Sequence, residues 1–192
     1  MYAIGEEVAT EFDRMTNKEL GNWIRGELKK LGISSRQVSV RVRPCGYSTD
    51  VRCEIKDLSV DYETVKNIAT RVGYIRYDPY AQEILSGCNT FVNIDYDYEV
   101  MKKARDENIE EAKELLKGCE TQSKTVLETE EGKYVIIPSH HSDGKNEWFT
   151  YSYTFFKNGE NIGKHIGEFR NLYDCAWDLA DKLAIHKART AA

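Results

Sequence analysis

VSVRVRPCGYSTDVRCEIKD, residues 38–57, is the stretch on which the fold class turns. Val38, Val40 and Val42 alternate with Ser39, Arg41 and Arg43, and after PCGYSTD, Val51, Cys53 and Ile55 alternate with Arg52, Glu54 and Lys56. A period of two in apolar and polar residues belongs to a strand with one buried face. The stretch therefore predicts two half-buried strands joined by a loop at PCGYSTD. Helical periodicity stands on both sides. Upstream, Leu20, Trp23, Ile24, Leu28 and Leu31 recur at helical spacing. Thr16 and Glu19 form a capping-box pattern before them, and Gly32 follows as a stop. Downstream, Val60, Val65, Ile68, Ala69 and Val72 mark a second helix that ends at Gly73. Helix, strand, strand, helix is the grammar of an α+β unit.

Beyond that helix, YDPYAQEILSGCNTFVNIDYD, residues 77–97, places two tyrosine-rich arms around a Ser86–Asn89 turn. It reads as a hairpin that closes the first sheet, with Tyr77 and Tyr80 facing Tyr96 and Tyr98 across the strands. Residues 99–117 then carry a third helix with Met101, Ile109, Ala112, Leu115 and Leu116 on one side, ended by Gly118. After it the pattern becomes a meander. TVLETEEGKYVIIP is a hairpin across EEGK, SHHSDGKN is a loop, and WFTYSYTFF and NIGKHIGEF are strands joined through Asn158-Gly159, a tight-turn pair. Asn171 caps a last helix with Leu172, Cys175, Ala176, Leu179, Ala180 and Leu183 inward. The expected organisation is two small two-layer units: helix-strand-strand-helix-hairpin over residues 1–98, and a sheet plus helix over 119–192. An acidic linker helix, 99–118, joins them.

Composition narrows the function classes. The chain has 192 residues, 41% hydrophobic and 31% charged, which fits a folded protein rather than a disordered one. No apolar run reaches membrane-spanning length, and the acidic N-terminus lacks the basic start of a secretory signal, so a soluble cytoplasmic protein is expected. The five cysteines form no CxxC pair and read as free thiols. The net charge of −5 is unevenly spread: residues 16–76 carry a net +5 and residues 77–131 a net −8. Such polarity bears on partners rather than on fold.

At the level of motif, residues 16–97 resemble the large polyvalent protein-associated domains of phage and mobile-element proteins. TNKELGNWIRGELKK, VSVRVRPCGYS, DVRCEIKD and above all EILSGCNTFVNID carry the resemblance. Against the pattern E-I-x-S-G-G-N-x-F-V, Glu83, Ile84, Ser86, Gly87, Asn89, Phe91 and Val92 match, and Cys88 stands where glycine is expected. The resemblance implies a mobile-element origin and a counter-defence role. The expected partner is a bacterial CRISPR-Cas effector, for example of the Cas9 type, or its nucleoprotein complex. The C-terminal strands and helix also resemble three-strand-plus-helix DNA readers of the AP2 and integrase-arm type, with Lys157, Lys164, His165 and Arg170 available.

No catalytic motif, metal site or cofactor site is expected. The adjacent His140 and His141 lack further ligands at metal-binding spacing and read as a solvated loop. Asp95 and Asp97 share one strand face, as paired carboxylates or as a solvated edge. Two charged surfaces remain. Glu99, Asp106, Glu107, Glu110, Glu111 and Glu114 line the third helix, either as a solvated stripe or as a phosphate-like array offered to a partner's basic channel. Arg41, Arg43, Arg52 and Lys56 project from one face of the paired strands, either as an ordinary outer face or as a track for DNA or RNA phosphates, with Lys157 and Lys164 as further cations in the second unit. Of the two, the acidic surface is the expected partner site of an inhibitor that does no chemistry, with a DNA-binding accessory module as the alternative.

Overall fold

The computed structural model describes residues 12, 14–75, 77–78, 80, 83–84, 89–161, 167–169 and 171–192. The chain is α+β and divides into two compact units, residues 1–100 and 101–192.

In the first unit, Thr16 caps helix α1 (Asn17–Lys30) with the full capping box: its amide donates to the Glu19 carboxylate at 2.7 Å, and the Glu19 amide donates back to its hydroxyl at 3.3 Å. Gly32, at φ 79°, closes the helix in the left-handed conformation that glycine takes without a steric penalty. Strands β1 (Val38–Cys45) and β2 (Ser48–Ile55) pair antiparallel. The expected PCGYSTD loop shrinks to two residues. Pairing continues through Pro44 opposite Thr49, and Gly46, at φ 59°, turns the chain with Tyr47. Pro44 is tolerated because β1 is an edge strand. Asp61 caps α2 (Tyr62–Ala69), which runs into a 3₁₀ turn over Thr70–Val72.

The largest departure from expectation comes next. Residues 77–97 do not form one hairpin. β3 (Tyr77–Asp78) pairs with β4 (Glu83–Ile84), while β5 (Thr90–Tyr96) crosses over to lie parallel to β2. The sheet order is β1-β2-β5. Tyr96 consequently sits beside Tyr62 on α2, 6.1 Å between ring centroids, and Tyr80 and Tyr98 are exposed. The expected turn at 86–88 lies outside the described residues. The apolar face of the sheet (Val38, Val40, Val51, Cys53, Ile55, Val92) meets Leu20, Ile24 and Leu28 of α1 and Val65 and Ala69 of α2. Each fully buried Val, Leu or Ile side chain among these contributes roughly 1.5–3 kcal/mol. Gly21 lets α1 come close: a Cβ there would stand 3.3 Å from the Val42 methyl.

The second unit is built on an antiparallel sheet of β6 (Lys124–Thr129), β7 (Gly132–Ser142), β8 (Glu147–Lys157) and β10 (Gly167–Phe169), in the order β10-β8-β7-β6, with β9 (Glu160–Asn161) also paired to β8. The β8–β9 turn has Asn158 at φ 53° and Gly159 at φ 83°, the left-handed pair expected of Asn-Gly. The middle of the expected strand NIGKHIGEF, residues 162–166, lies outside the described residues. Helices α3 (Tyr98–Leu116) and α4 (Leu172–Thr190) contribute Ala112 and Leu116, and Cys175, Ala176, Leu179, Ala180 and Leu183, to one core with Val126, Ile136 and Tyr153. From Met101 onward α3 is therefore a packed part of the second unit. Arg105 clamps it to α4 through a bidentate pair with Asp181, 2.8 and 2.7 Å.

Candidate nucleic-acid interface

Burial of Val51, Cys53 and Ile55 forces the alternate residues of β2 to the opposite face of the sheet, against which no helix among the described residues of this unit packs. Register then fixes the rows across that face. Arg43, Asp50 and Phe91 form one row; Arg41, Arg52 and Asn93 the next; Ser39, Glu54 and Asp95 the third. Arg41, Arg43 and Arg52 are all exposed. Arg41 and Arg52 are direct cross-strand partners, and like charges so placed repel. Relief within the protein is partial. Arg41 reaches Glu54 at 3.9 Å, and the Asp50 carboxylate accepts from the Asn93 amide at 2.9 Å. Among the described residues, neither Arg43 nor Arg52 forms an ion pair. Lys56 is exposed just beyond the end of β2.

The acidic helix looks different in three dimensions. Its six acidic residues are exposed, as expected, but four of them hold lysines: Glu107 with Lys103 at 3.9 Å, Glu110 with Lys113 at 2.6 Å, Glu114 with Lys117 at 2.5 Å, and Glu111 with Lys187 of α4. Glu99 and Asp106 form no ion pair among the described residues. The stripe is thus a mixed-charge surface with two open carboxylates.

The remaining candidates separate. Lys157 is exposed at the end of β8 in the second unit, and Lys164, His165 and Arg170 lie outside the described residues. His140 and His141 are not in a loop. β7 carries them opposite Phe149 and Trp148, and the turn is confined to Asp143–Asn146. His141 stacks on Trp148 and meets the Thr150 hydroxyl at 2.8 Å; His140 lies 3.5 Å from Glu147. Among the described residues, no group of three His, Cys, Asp or Glu side chains is placed to hold a metal ion. Asp95 is on the open face, whereas Asp97 accepts from the Glu99 and Val100 amides at 3.1 Å and caps α3. The carboxylates therefore have separate surroundings. Cys53, Cys119 and Cys175 are buried free thiols and Cys45 an exposed one, and Cys88 lies outside the described residues. Burial pushes the Cys53 and Cys175 thiols up to about 12, which keeps them protonated and unreactive.

Sequence alternation exposes the arginines but not Phe91 and Asn93, because only the parallel register of β5 brings those two onto the same face. A shallow cleft of about 260 Å³ between α2 and β5 is lined by Tyr62, Lys66 and Asp95, but its cation is committed to Glu63 at 2.9 Å. No family model, curated protein or solved structure matches this chain, and no helix among the described residues is long and apolar enough to cross a membrane.

Proposed function

We propose that this is a binding protein without catalytic activity, and that the open β1-β2-β5 face engages the phosphates of a nucleic acid, free or held in a nucleoprotein. The observation that carries this reading is the direct opposition of Arg41 and Arg52, with Arg43 beside them, on a face that no helix among the described residues of this unit covers. Guanidiniums form bidentate, charge-assisted hydrogen bonds to phosphate, and a bridging anion would relieve the cross-strand repulsion. The acidic helix supports a partner surface less well, since lysines occupy most of its carboxylates. In the counter-defence setting implied by the sequence resemblance, the ligand would be the guide or target strand of a CRISPR-Cas effector, and binding would block cleavage.

Titration of labelled oligonucleotides at two salt concentrations tests the phosphate contacts. Three such contacts predict an affinity loss of roughly 20–40-fold between about 50 and 200 mM salt. The triple variant Arg41→Glu, Arg43→Glu, Arg52→Glu should not bind. Undiminished binding by that variant, or no binding by the native protein at the lower salt, removes the proposal. The counter-defence role has its own test in co-purification with CRISPR-Cas effectors and in their target cleavage. It fails if no effector forms a complex or loses activity.

A further inference from the structure

We infer that the open sheet face selects single-stranded over duplex nucleic acid, with Phe91 as the platform on which a base stacks. This rests on the phosphate-binding reading above and adds the form of the ligand. Phe91 is apolar, yet among the described residues it belongs to neither hydrophobic core; it is only partly buried and shares a row with Asp50 and Arg43. Its β5 neighbours Val92 and Ile94 point into the core, so the ring belongs to the open side. In the adjoining row stand Arg41, Arg52 and Asn93, a side-chain amide able to meet a base edge once it exchanges its bond to Asp50. At the β1–β2 turn, Tyr47 is 93% exposed, a second ring at the end of the hairpin that carries Arg43.

The shape of the face decides between ligands. A duplex is read in its major groove by a helix or a two-stranded ribbon. In a duplex the paired bases present only their edges, so the Phe91 ring on this face would have no base face to stack on. An unpaired strand can instead lie across the sheet, with its phosphates toward the arginine row and an unstacked base on the ring, as sheet-based readers of single strands do. The acidic row of Glu54 and Asp95 borders the track on one side and repels a second phosphate chain, which a duplex would bring.

The test uses the full chain and a labelled oligonucleotide of about ten nucleotides, presented as single-stranded DNA, single-stranded RNA and blunt DNA duplex. Single strands should bind at least about ten-fold more tightly than the duplex, and the DNA and RNA arms identify the preferred sugar. Phe91→Leu should weaken single-strand binding by about 5–100-fold without changing its salt slope, and Phe91→Tyr should keep binding. Arg52→Gln should lower the slope instead. Thermal melts confirm folding of each variant. Equal affinity for the duplex, or native-like single-strand binding by Phe91→Leu, overturns this inference while leaving the phosphate-contact reading in place. Absence of binding to all three probes at low salt overturns both.

Discussion

Tyr153 and Asp178 bring two buried polar atoms, the phenol oxygen and one carboxylate oxygen, into the second core without a hydrogen-bond partner among the described residues. Burial raises the titration of both groups above their ordinary values, and Lys182 only partly offsets this for Asp178. A carboxyl whose folded-state pKa is raised favours the folded state less when ionised. The penalty is therefore fully present above the folded pKa, shrinks as pH falls through it, and is gone below the ordinary value of 3.8. Asp178→Asn should stabilise the protein by about 1 kcal/mol near neutral pH. Urea denaturation should show this gain narrowing as pH falls toward 4; a gain independent of pH would assign it to packing instead. Gly132 makes the opposite point. A Cβ there would lie 2.2 Å from the Phe156 carbonyl oxygen and 2.7 Å from the Phe155 ring. Gly132→Ala should cost about 2 kcal/mol or more, read as a lowered denaturation midpoint, because backbone must move to admit the methyl.

Among the elements, those set by local chemistry are legible in the sequence. The α1 capping box, the Asn158-Gly159 turn, the Gly32 and Gly118 stops and the alternation of β1 and β2 all appear where side-chain chemistry places them. Thr16→Ala should accordingly cost about 0.5–2 kcal/mol in the same urea assay, by leaving first-turn amides uncapped. What escapes a sequence reading is long-range pairing. β5 looks like the return arm of a hairpin because its true partner, β2, lies far back in the chain and the parallel pairing leaves no turn signal. The SHHSDGKN segment reads as a loop because Ser, His and Asp are poor strand formers; pairing with Trp148 and Phe149 overrides them. The same limits apply to the candidate interface. Arg41, Arg43 and Arg52 follow from alternation, and the Glu110–Lys113 and Glu114–Lys117 pairs follow from helical spacing. Lys187 on Glu111 comes from another helix, and Phe91 from another register.

For the whole molecule, a net charge of −5 opposes nucleic-acid binding at long range, so the arginine face must work through contact rather than through a general field. That separates the two charged surfaces experimentally. Reversing Asp106, Glu110 and Glu114 to lysine removes the Lys113 and Lys117 pairs, which are exposed and screened by solvent, and should leave the fold intact by circular dichroism. It also makes the chain less acidic. Oligonucleotide association should then quicken at low salt and return to the native rate at high salt, because long-range attraction between exposed charges is screened beyond a Debye length of about 10 Å at 0.1 M. Reversing Arg41, Arg43 and Arg52 to glutamate should abolish binding at both salt concentrations, since it turns each phosphate contact into a repulsion. Against an effector nuclease the same order is expected: cleavage remains blocked by the lysine variant and is restored with the glutamate variant. If the lysine variant alone loses inhibition, the acidic helix is the partner surface, with Glu99 and Asp106, which form no ion pair among the described residues, the first contacts to test. If both variants inhibit like the native protein, neither charged surface is used. Attention then moves to Trp148, exposed on the β7–β8 hairpin, and to half-buried Tyr151, since Tyr153 is fully enclosed.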